Sequence, residues 1–358
     1  MDRNSFSHRA MLRVAAVSGA AVAIRGIMLL ENVLFSSVRR KDFSLMKRWN
    51  FLRCCAGDSA TVTRLCAAIC FAIFSLLILP AAYGQDLRVS LLGTGFVQPA
   101  MDRFGPSTLV EAGGEKLLFD CGRGCLQRLT QLGVPLKDVN KLFITHFHSD
   151  HLVGIDDLWL TGWLRGRTNI PLEVWGPPGT RAMMENLVKA FDLDIQIRRT
   201  AGNSEGIKVT MHEIKEGVVY ERGGVKVTAF DIAHGNIKPA LGFRVDYRGR
   251  SVAMSGDTAV SENLIRFSRG VDLLIHEVSA APQTGIAMHV TPEEAGQVFD
   301  RVKPKLAVYS HIILPPNLTP SELIARTRQT YKGPLEVGED LMVINIGETV
   351  NIQPRSKE

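Results

Sequence analysis

From Asp86 onward, short apolar runs rich in β-branched residues alternate with segments of helical pattern. Runs of four to eight such residues, bounded by glycine or polar clusters, read as strands, and longer amphipathic segments read as helices. On this basis strands are predicted over Leu87–Leu92, Lys116–Phe119, Lys141–Thr145, Leu172–Trp175 and Val225–Phe230. Five more are predicted over Leu241–Asp246, Ser251–Ser255, Val271–Ile275, Leu306–Ser310 and Leu341–Ile346. Helices are predicted over Gly124–Leu132, Thr180–Ala190, Ser261–Phe267, Pro292–Val302 and Pro320–Gln329. Thr291 precedes Pro292, with Glu294 three residues on, which gives an N-cap, a first-turn proline and a capping box. Thr319, Pro320 and Glu322 repeat that signature. Residues 85–358 carry strands in both halves without a long linker or a short repeat, which suits one compact domain with sheets inside and helices outside.

Residues 1–84 follow a different pattern. Leu65 to Leu79 is almost wholly apolar, interrupted by the hydroxyl of Ser75. That run is short of the ~20 residues of a membrane span and close to the core of a signal peptide. Lys47, Arg48, Arg53 and Arg64 precede it, and Pro80 and Ala82-Tyr83-Gly84 follow. Cleavage is expected before Gln85, with the mature domain periplasmic or secreted and not stably inserted in a membrane. An uncleaved leader would act as an anchor. Met46-Lys47-Arg48 would make a more ordinary beginning for such a leader than Met1, and both starts stay open.

Charge is distributed unevenly. The formal net charge is +6, but residues 1–84 hold eleven of the 42 Lys/Arg and only four of the 36 Asp/Glu. The remaining 31 basic and 32 acidic residues leave the body near neutral, with no overall field to collect a polyanion. Of the six cysteines, Cys121 and Cys125 lie in the body. They could pair in an oxidising compartment, but the preferred reading is two small residues in a loop and at a helix start.

The chemistry concentrates in Thr145-His146-Phe147-His148-Ser149-Asp150-His151, at the end of an apolar strand. His146 and His148, two apart in extended chain, point the same way and can grip one cation. Asp150 and His151 lie past the turn and can reach a second. Nitrogen and oxygen ligands of this kind suit a divalent metal with a position left for water.

This motif resembles the His-x-His-x-Asp-His signature of the metallo-β-lactamase superfamily, and the resemblance runs through nearly the whole body. Leu92-Gly93-Thr94-Gly95 with Pro99 and Arg103 looks like the opening loop of the ribonuclease Z branch. Leu118-Phe119-Asp120-Cys121-Gly122 looks like its next motif, whose Asp orients the metal loop. Ala233-His234 with Leu241–Val245, Ser255-Gly256-Asp257-Thr258, His276-Glu277-Val278-Ser279, His289-Val290-Thr291 and Tyr309-Ser310-His311 resemble the later motifs in order. The implied fold is an αββα sandwich of two mixed β-sheets flanked by helices. The implied ligands are His146, His148 and His234 for one metal and Asp150, His151 and His311 for the other, with Asp257 bridging. Two zinc ions are expected, with Mn²⁺ or Fe²⁺ also suited. The resemblance implies a hydrolase that cleaves phosphodiester or related ester bonds with a metal-bridging hydroxide. Asp150, His289 and Glu277 are the expected catalytic residues, His289 meeting the leaving oxygen and Glu277 orienting it. His276 is open to a structural or a functional role, and His212 reads as a surface residue.

Two departures bear on the substrate. Arg123 stands where the branch often has Glu, and only a hairpin around Arg248-Gly249-Arg250 separates Val245 from Ser255, where bacterial tRNA-processing members carry an arm. With the leader and the neutral body, this makes a short anionic or small-molecule ester the expected substrate and disfavours tRNA. An arylsulfatase and a tRNA 3′-processing nuclease are the alternatives, and a homodimer is open. The intact ligand set argues against a silent binding protein, and Asp257 against a β-lactamase. Trp159, Trp163, Arg165 and Arg167 read either as the substrate mouth or as a helix packing its Trp residues into the core.

Overall fold

Two mixed β-sheets lie face to face, and each is covered on its outer side by helices. The computed structural model of the chain describes residues 87–354 other than 283, 284 and 286, so the expected leader and its cleavage point lie outside the described residues. The first sheet takes strands β1 (Leu87–Gly93), β2 (Ser107–Ala112), β3 (Glu115–Phe119), β4 (Lys141–Phe143), β5 (Leu172–Gly176) and β6 (Val209–Glu213). The second takes β7 (Gly217–Arg222), β8 (Val225–Asp231), β9 (Leu241–Tyr247), β10 (Arg250–Met254), β11 (Leu273–Ser279), β12 (Leu306–Ile313) and β13 (Leu335–Val337). The chain then returns to the first sheet as β14 (Val343–Ile346) and β15 (Val350–Ile352), giving the orders β15-β14-β1-β2-β3-β4-β5-β6 and β13-β12-β11-β10-β9-β8-β7. Each sheet is antiparallel in one part and parallel from β3 to β6 or from β10 to β13.

The period-two alternation of strands sorts side chains between layers. Leu117 and Phe119 of β3 join Phe243 and Val245 of β9 between the sheets, while Leu118 faces the outer helices. Ile275 faces inward and its neighbour Leu274 outward, in the same way. Helices α1 (Cys125–Gln131), α2 (Ile155–Arg165), α3 (Thr180–Ala190) and α4 (Asp192–Arg198) cover the first sheet. Helices α5 (Glu262–Ser268), α6 (Pro292–Val302) and α7 (Pro320–Thr327) cover the second. Both expected capping boxes form, at Thr291/Glu294 and Thr319/Glu322.

The sequence pattern missed β2, β6, β7, β13, β15 and α4, and offered α2 only as the second reading of the segment around Trp159 and Trp163. The strands β6 and β7 are half-exposed sheet edges, and β13 and β15 have three residues each, so neither alternation nor length marks them. The mouth reading of the segment after the metal motif is overturned. Trp159, Trp163 and Arg167 are fully buried under the first sheet. The indole of Trp159 donates to Ile207 O at 2.9 Å and that of Trp163 to Asn203 O at 2.8 Å. Arg167 donates from Nη2 to Leu158 O and Trp159 O at 3.2 and 3.0 Å, which offsets part of the cost of burying its charge. Arg165 alone of the four is exposed. Cys121 and Cys125 are buried free thiols, as the preferred reading held.

Candidate metal centre

The strand β4 stops at Phe143, and the chain continues extended through Thr145–His148 before a single 3-10 turn over Ser149–His151 leads toward α2. The turn is packed backbone to backbone on the loop after β3. Cys121 N donates to His151 O at 2.8 Å and Gly154 N to Cys121 O at 2.9 Å. A Cβ on Gly122 would lie 2.5 Å from Asp150 O, so only glycine permits this approach.

Asp120 organises the loop. One carboxylate oxygen accepts from Thr145 N at 2.9 Å; the other accepts from Thr145 Oγ1 at 2.9 Å and His151 Nδ1 at 2.7 Å. Having given its proton to Asp120, the Thr145 hydroxyl accepts from His146 Nδ1 at 2.9 Å. His234 Nδ1 is 2.8 Å from Met288 O, an acceptor only. The network therefore assigns the proton to Nδ1 on His146, His151 and His234, leaving each Nε2 lone pair facing inward. The Nε2 atoms of His146 and His151 are buried without a hydrogen-bond partner, as is Asp257 Oδ1.

The second sheet supplies its residues one at a time. His234 follows β8 and Asp257 follows β10. His311 sits within β12, where the ladder to β11 slips and its φ of 45 lies in the left-handed region. The slip sets Ser310 and His311 against Glu277, a bulge that re-aims a strand side chain toward the site. Asp257 Oδ2 lies 3.2 Å from His311 Nε2, 3.4 Å from His151 Nε2, 3.8 Å from His146 Nε2 and 3.9 Å from His234 Nε2. His234 Nε2 and His148 Nδ1 are 3.2 Å apart, close to the ~3.3 Å of two imidazoles on one tetrahedral zinc with Zn–N of 2.0–2.1 Å. Among the described residues, three groups of side chains could hold a metal ion: His146, His148, His234 and Asp257; Asp150, His151 and His311; and Asp257, His289 and His311.

The electrostatics are those of a crowded, largely buried cluster. Burial drives His146 down to about 2, helped by the neighbouring His151. Burial likewise lowers His234. His151 goes the other way: burial opposes its charge, but Asp257 and Asp120 overcome this and raise it well above the usual range. Burial would raise Asp257, yet His311 and His151 hold it well below a normal carboxylate. Burial also opposes ionisation of Asp150, and the contact with His311 outweighs it.

Glu277 lies on β11, fully buried. One oxygen accepts from Thr258 N and Val290 N, both at 3.1 Å, and the other is 3.3 Å from His289 Nδ1. Burial would lower His289, but the Glu277 carboxylate raises it. His276 is also buried, its Nδ1 2.6 Å from Glu277 O, and burial lowers it to about 4. This is a core placement. His212 is half-buried and stacks on Trp175 at 4.5 Å, so the surface reading is only partly correct.

His148, Ser149, Asp150, Asp257, His289 and His311 line an opening whose apolar walls are Phe96, Val97 and Ile313. The sequence reading passed over these three. For Phe96 and Val97 the signal was two consecutive large apolar residues in the glycine loop after β1.

A sandwich with such a cluster between strand ends defines a class of metal-dependent hydrolases, and residues 115–312 match the family model described as a beta-lactamase superfamily domain. The ribonuclease Z of Mycolicibacterium gilvum (strain PYR-GCK) is 33% identical over 287 residues, covering 75% of this chain and 99% of that protein. The ribonuclease Z of Mycobacterium bovis (strain BCG / Pasteur 1173P2) is 34% identical over 282 residues, covering 73% and 98%. Among solved structures, human tRNase Z, short form, superposes with a TM-score of 0.57 at 25% identity, covering 73% of this chain and 99% of that one. The Bacillus subtilis metallo-beta-lactamase fold protein YhfI gives 0.58 at 20% identity, covering 72% and 98%. The chain belongs to the ribonuclease Z branch of the metallo-β-lactamase superfamily.

Proposed function

We propose that the protein is a binuclear zinc hydrolase that cleaves phosphodiester bonds. The observation that carries this is the meeting of His146, His151, His234 and His311 around Asp257 Oδ2, with buried ring nitrogens that no protein group satisfies. In this reading His146, His148 and His234 hold one ion, Asp150, His151 and His311 the other, and Asp257 both. The charge of two such ions makes water nucleophilic near neutral pH and polarises the ester. Asp120 and Thr145 fix the imidazoles so that little reorganisation accompanies binding. His289, held by Glu277, offers a proton or positive charge to the departing oxygen. The cluster of Asp257, His289 and His311 admits His289 as a ligand instead, and the metal content of His289→Ala separates the roles.

The case against tRNA rests on the missing arm, the leader and the neutral body. The M. gilvum relative, matched over 99% of its own length, is named a ribonuclease Z, so tRNA stands as the alternative substrate. Phosphodiester chemistry remains the reading, ahead of sulfate esters.

Elemental analysis of protein purified without chelator, paired with turnover of bis-nitrophenyl phosphate and nitrophenyl sulfate, tests the proposal. Two ions per chain and activity on the phosphodiester are expected. One ion with full activity would defeat the binuclear assignment, and sulfatase activity alone would defeat the substrate class. Export is proposed on the leader pattern alone. Mass spectrometry of the processed N-terminus should find it near Gln85.

A further inference from the structure

A cavity of about 280 Å³ lies beside the metal opening. Phe96 lines both spaces, and the successive residues Ile312 and Ile313 line the cavity and the opening respectively. Its apolar walls include Phe96, Ile312, Leu314 and Leu323, and Gln98, Asp102 and Arg103 give it a polar side. Ile312 and Leu323 are 4% and 1% exposed and form a fixed floor. Arg103, which also lines it, donates from Nη1 to Thr94 Oγ1 at 2.7 Å and Gly338 O at 2.6 Å. That nitrogen is committed to holding the loop.

The same contacts preform the space. Gly95 N donates to Phe104 O at 2.8 Å and Ile312 N to Thr94 O at 2.9 Å, which ties the loop to β12. The buried Asp340 carboxylate accepts from Thr94 N at 2.9 Å and Phe104 N at 2.8 Å, and pairs with Arg128 at 2.9 Å. A cavity with a fixed apolar floor selects for apolar area. A benzene ring fits an apolar cavity of ~150 Å³, so this one has room for a ring with substituents.

We propose that this cavity is the subsite for a flat ring carried by the ester group that remains on phosphorus after cleavage. The proposal rests on the phosphodiesterase reading of the adjoining site. It assigns the cavity to the retained group because His289, which meets the leaving oxygen in that reading, lines the opening and not the cavity. The ring preference is thereby placed at Phe96, Ile312 and Leu323, away from the buried Trp159 and Trp163.

The test uses three diesters with one leaving group: methyl, phenyl and thymidine-5′ esters of p-nitrophenyl phosphate. With the metal-loaded protein, kcat/KM for the better ring-bearing ester should exceed the methyl ester by about 10- to 100-fold, the scale of burying one ring, chiefly through KM. Phenyl above thymidine identifies an aryl group, and thymidine above phenyl a nucleobase. Ala100→Trp, at an exposed loop position, should fill the cavity and bring the ratio toward one. Saturation-transfer NMR supplies a readout free of catalysis: phenyl phosphate should contact the metal-free protein, and Ala100→Trp should weaken that contact. Equal kcat/KM for ring and methyl esters, or a preference indifferent to Ala100→Trp, would overturn the subsite. If no diester turns over while the NMR contact persists and responds to the substitution, the phosphodiesterase reading fails and the ring site stands.

Discussion

The first sheet brings four candidate ligands to the site within six consecutive residues, His146 to His151. The second brings His234, Asp257 and His311 from three separate strands. The first set is held by a local network, with Asp120 and Thr145 fixing two imidazoles through short hydrogen bonds. The second is held by sheet geometry, since its members converge only when β8, β10 and β12 sit in register. One set is a motif and the other is a consequence of the fold. Asp257 joins them, because its Oδ2 faces imidazoles from both sides.

Asp257 is therefore where the comparison breaks most severely. Asp257→Asn keeps the size of the side chain and removes the charge that faces four imidazoles. Loss of at least one ion and a fall in kcat of ~10³-fold or more are expected, because the metal charge supplies several kcal/mol of the catalysis. Elemental analysis with a turnover assay checks both. Retention of both ions would show that the two halves hold their metals independently.

This contrast explains what the sequence made legible. His146, His148, Asp150 and His151 announce themselves by density. His234 and His311 are ordinary histidines at strand ends, and only the order of motifs singled them out. Asp120 was legible for the same reason. The walls of the opening were not, because Phe96, Val97 and Ile313 are apolar residues whose meaning depends on which elements approach them. Trp159 and Trp163 misled in the opposite direction. Their closeness to the metal motif suggested a mouth, but α2 turns its apolar face onto the sheet and their indole donors find backbone carbonyls. Proximity in sequence to a loop at a strand end says little about which face of the next helix meets solvent.

His289→Ala tests the division between ligands and the group placed beyond them. Metal content should stay unchanged, with turnover of an alkyl ester falling ~10²–10⁴-fold and that of a nitrophenyl ester falling far less. A lost ion, or equal losses on both esters, would move His289 into the ligand set. Trp163→Ala should act on the first half alone. Truncating a buried indole costs ~3–5 kcal/mol, so a lower denaturant midpoint is expected, with the preference among ester substrates preserved. A changed substrate preference without destabilisation would restore Trp163 to the mouth.

Asp120→Asn addresses the local network that distinguishes the first set. An amide can accept from Thr145 but cannot supply the negative charge paired with His151 at 2.7 Å. Metal affinity or activity should fall ~10- to 100-fold, the usual scale for a partner behind a ligating histidine. Competition with a chelator measures the affinity. An unchanged affinity would mean that the backbone alone aligns the loop.

The smallest expected effect belongs to Glu277, which reaches both sides of the second set. Its Oε1 accepts from Thr258 N, next to Asp257, and from Val290 N, next to His289. Its Oε2 faces His289 Nδ1. Gln at this position can keep the two backbone contacts through its amide oxygen, so the loops should hold and metal content should not change. The negative charge beside His289 is what disappears. Burial acts to lower the pKa of His289, and Glu277, ahead of Asp257, raises it. A protonated His289 serves the leaving group below that pKa and fails above it, so activity on an alkyl ester should decline as pH rises through it. Without the carboxylate the burial effect prevails, and the alkaline limb of the pH–rate profile should move to lower pH. The loss of kcat on the acid side of that limb should stay under the ~10²-fold that marks complete removal of a general acid. A profile measured with an alkyl ester on wild type and Glu277→Gln decides the matter. A limb that stays in place, or moves up, would mean that Glu277 acts only as a clamp between the Asp257 and His289 loops.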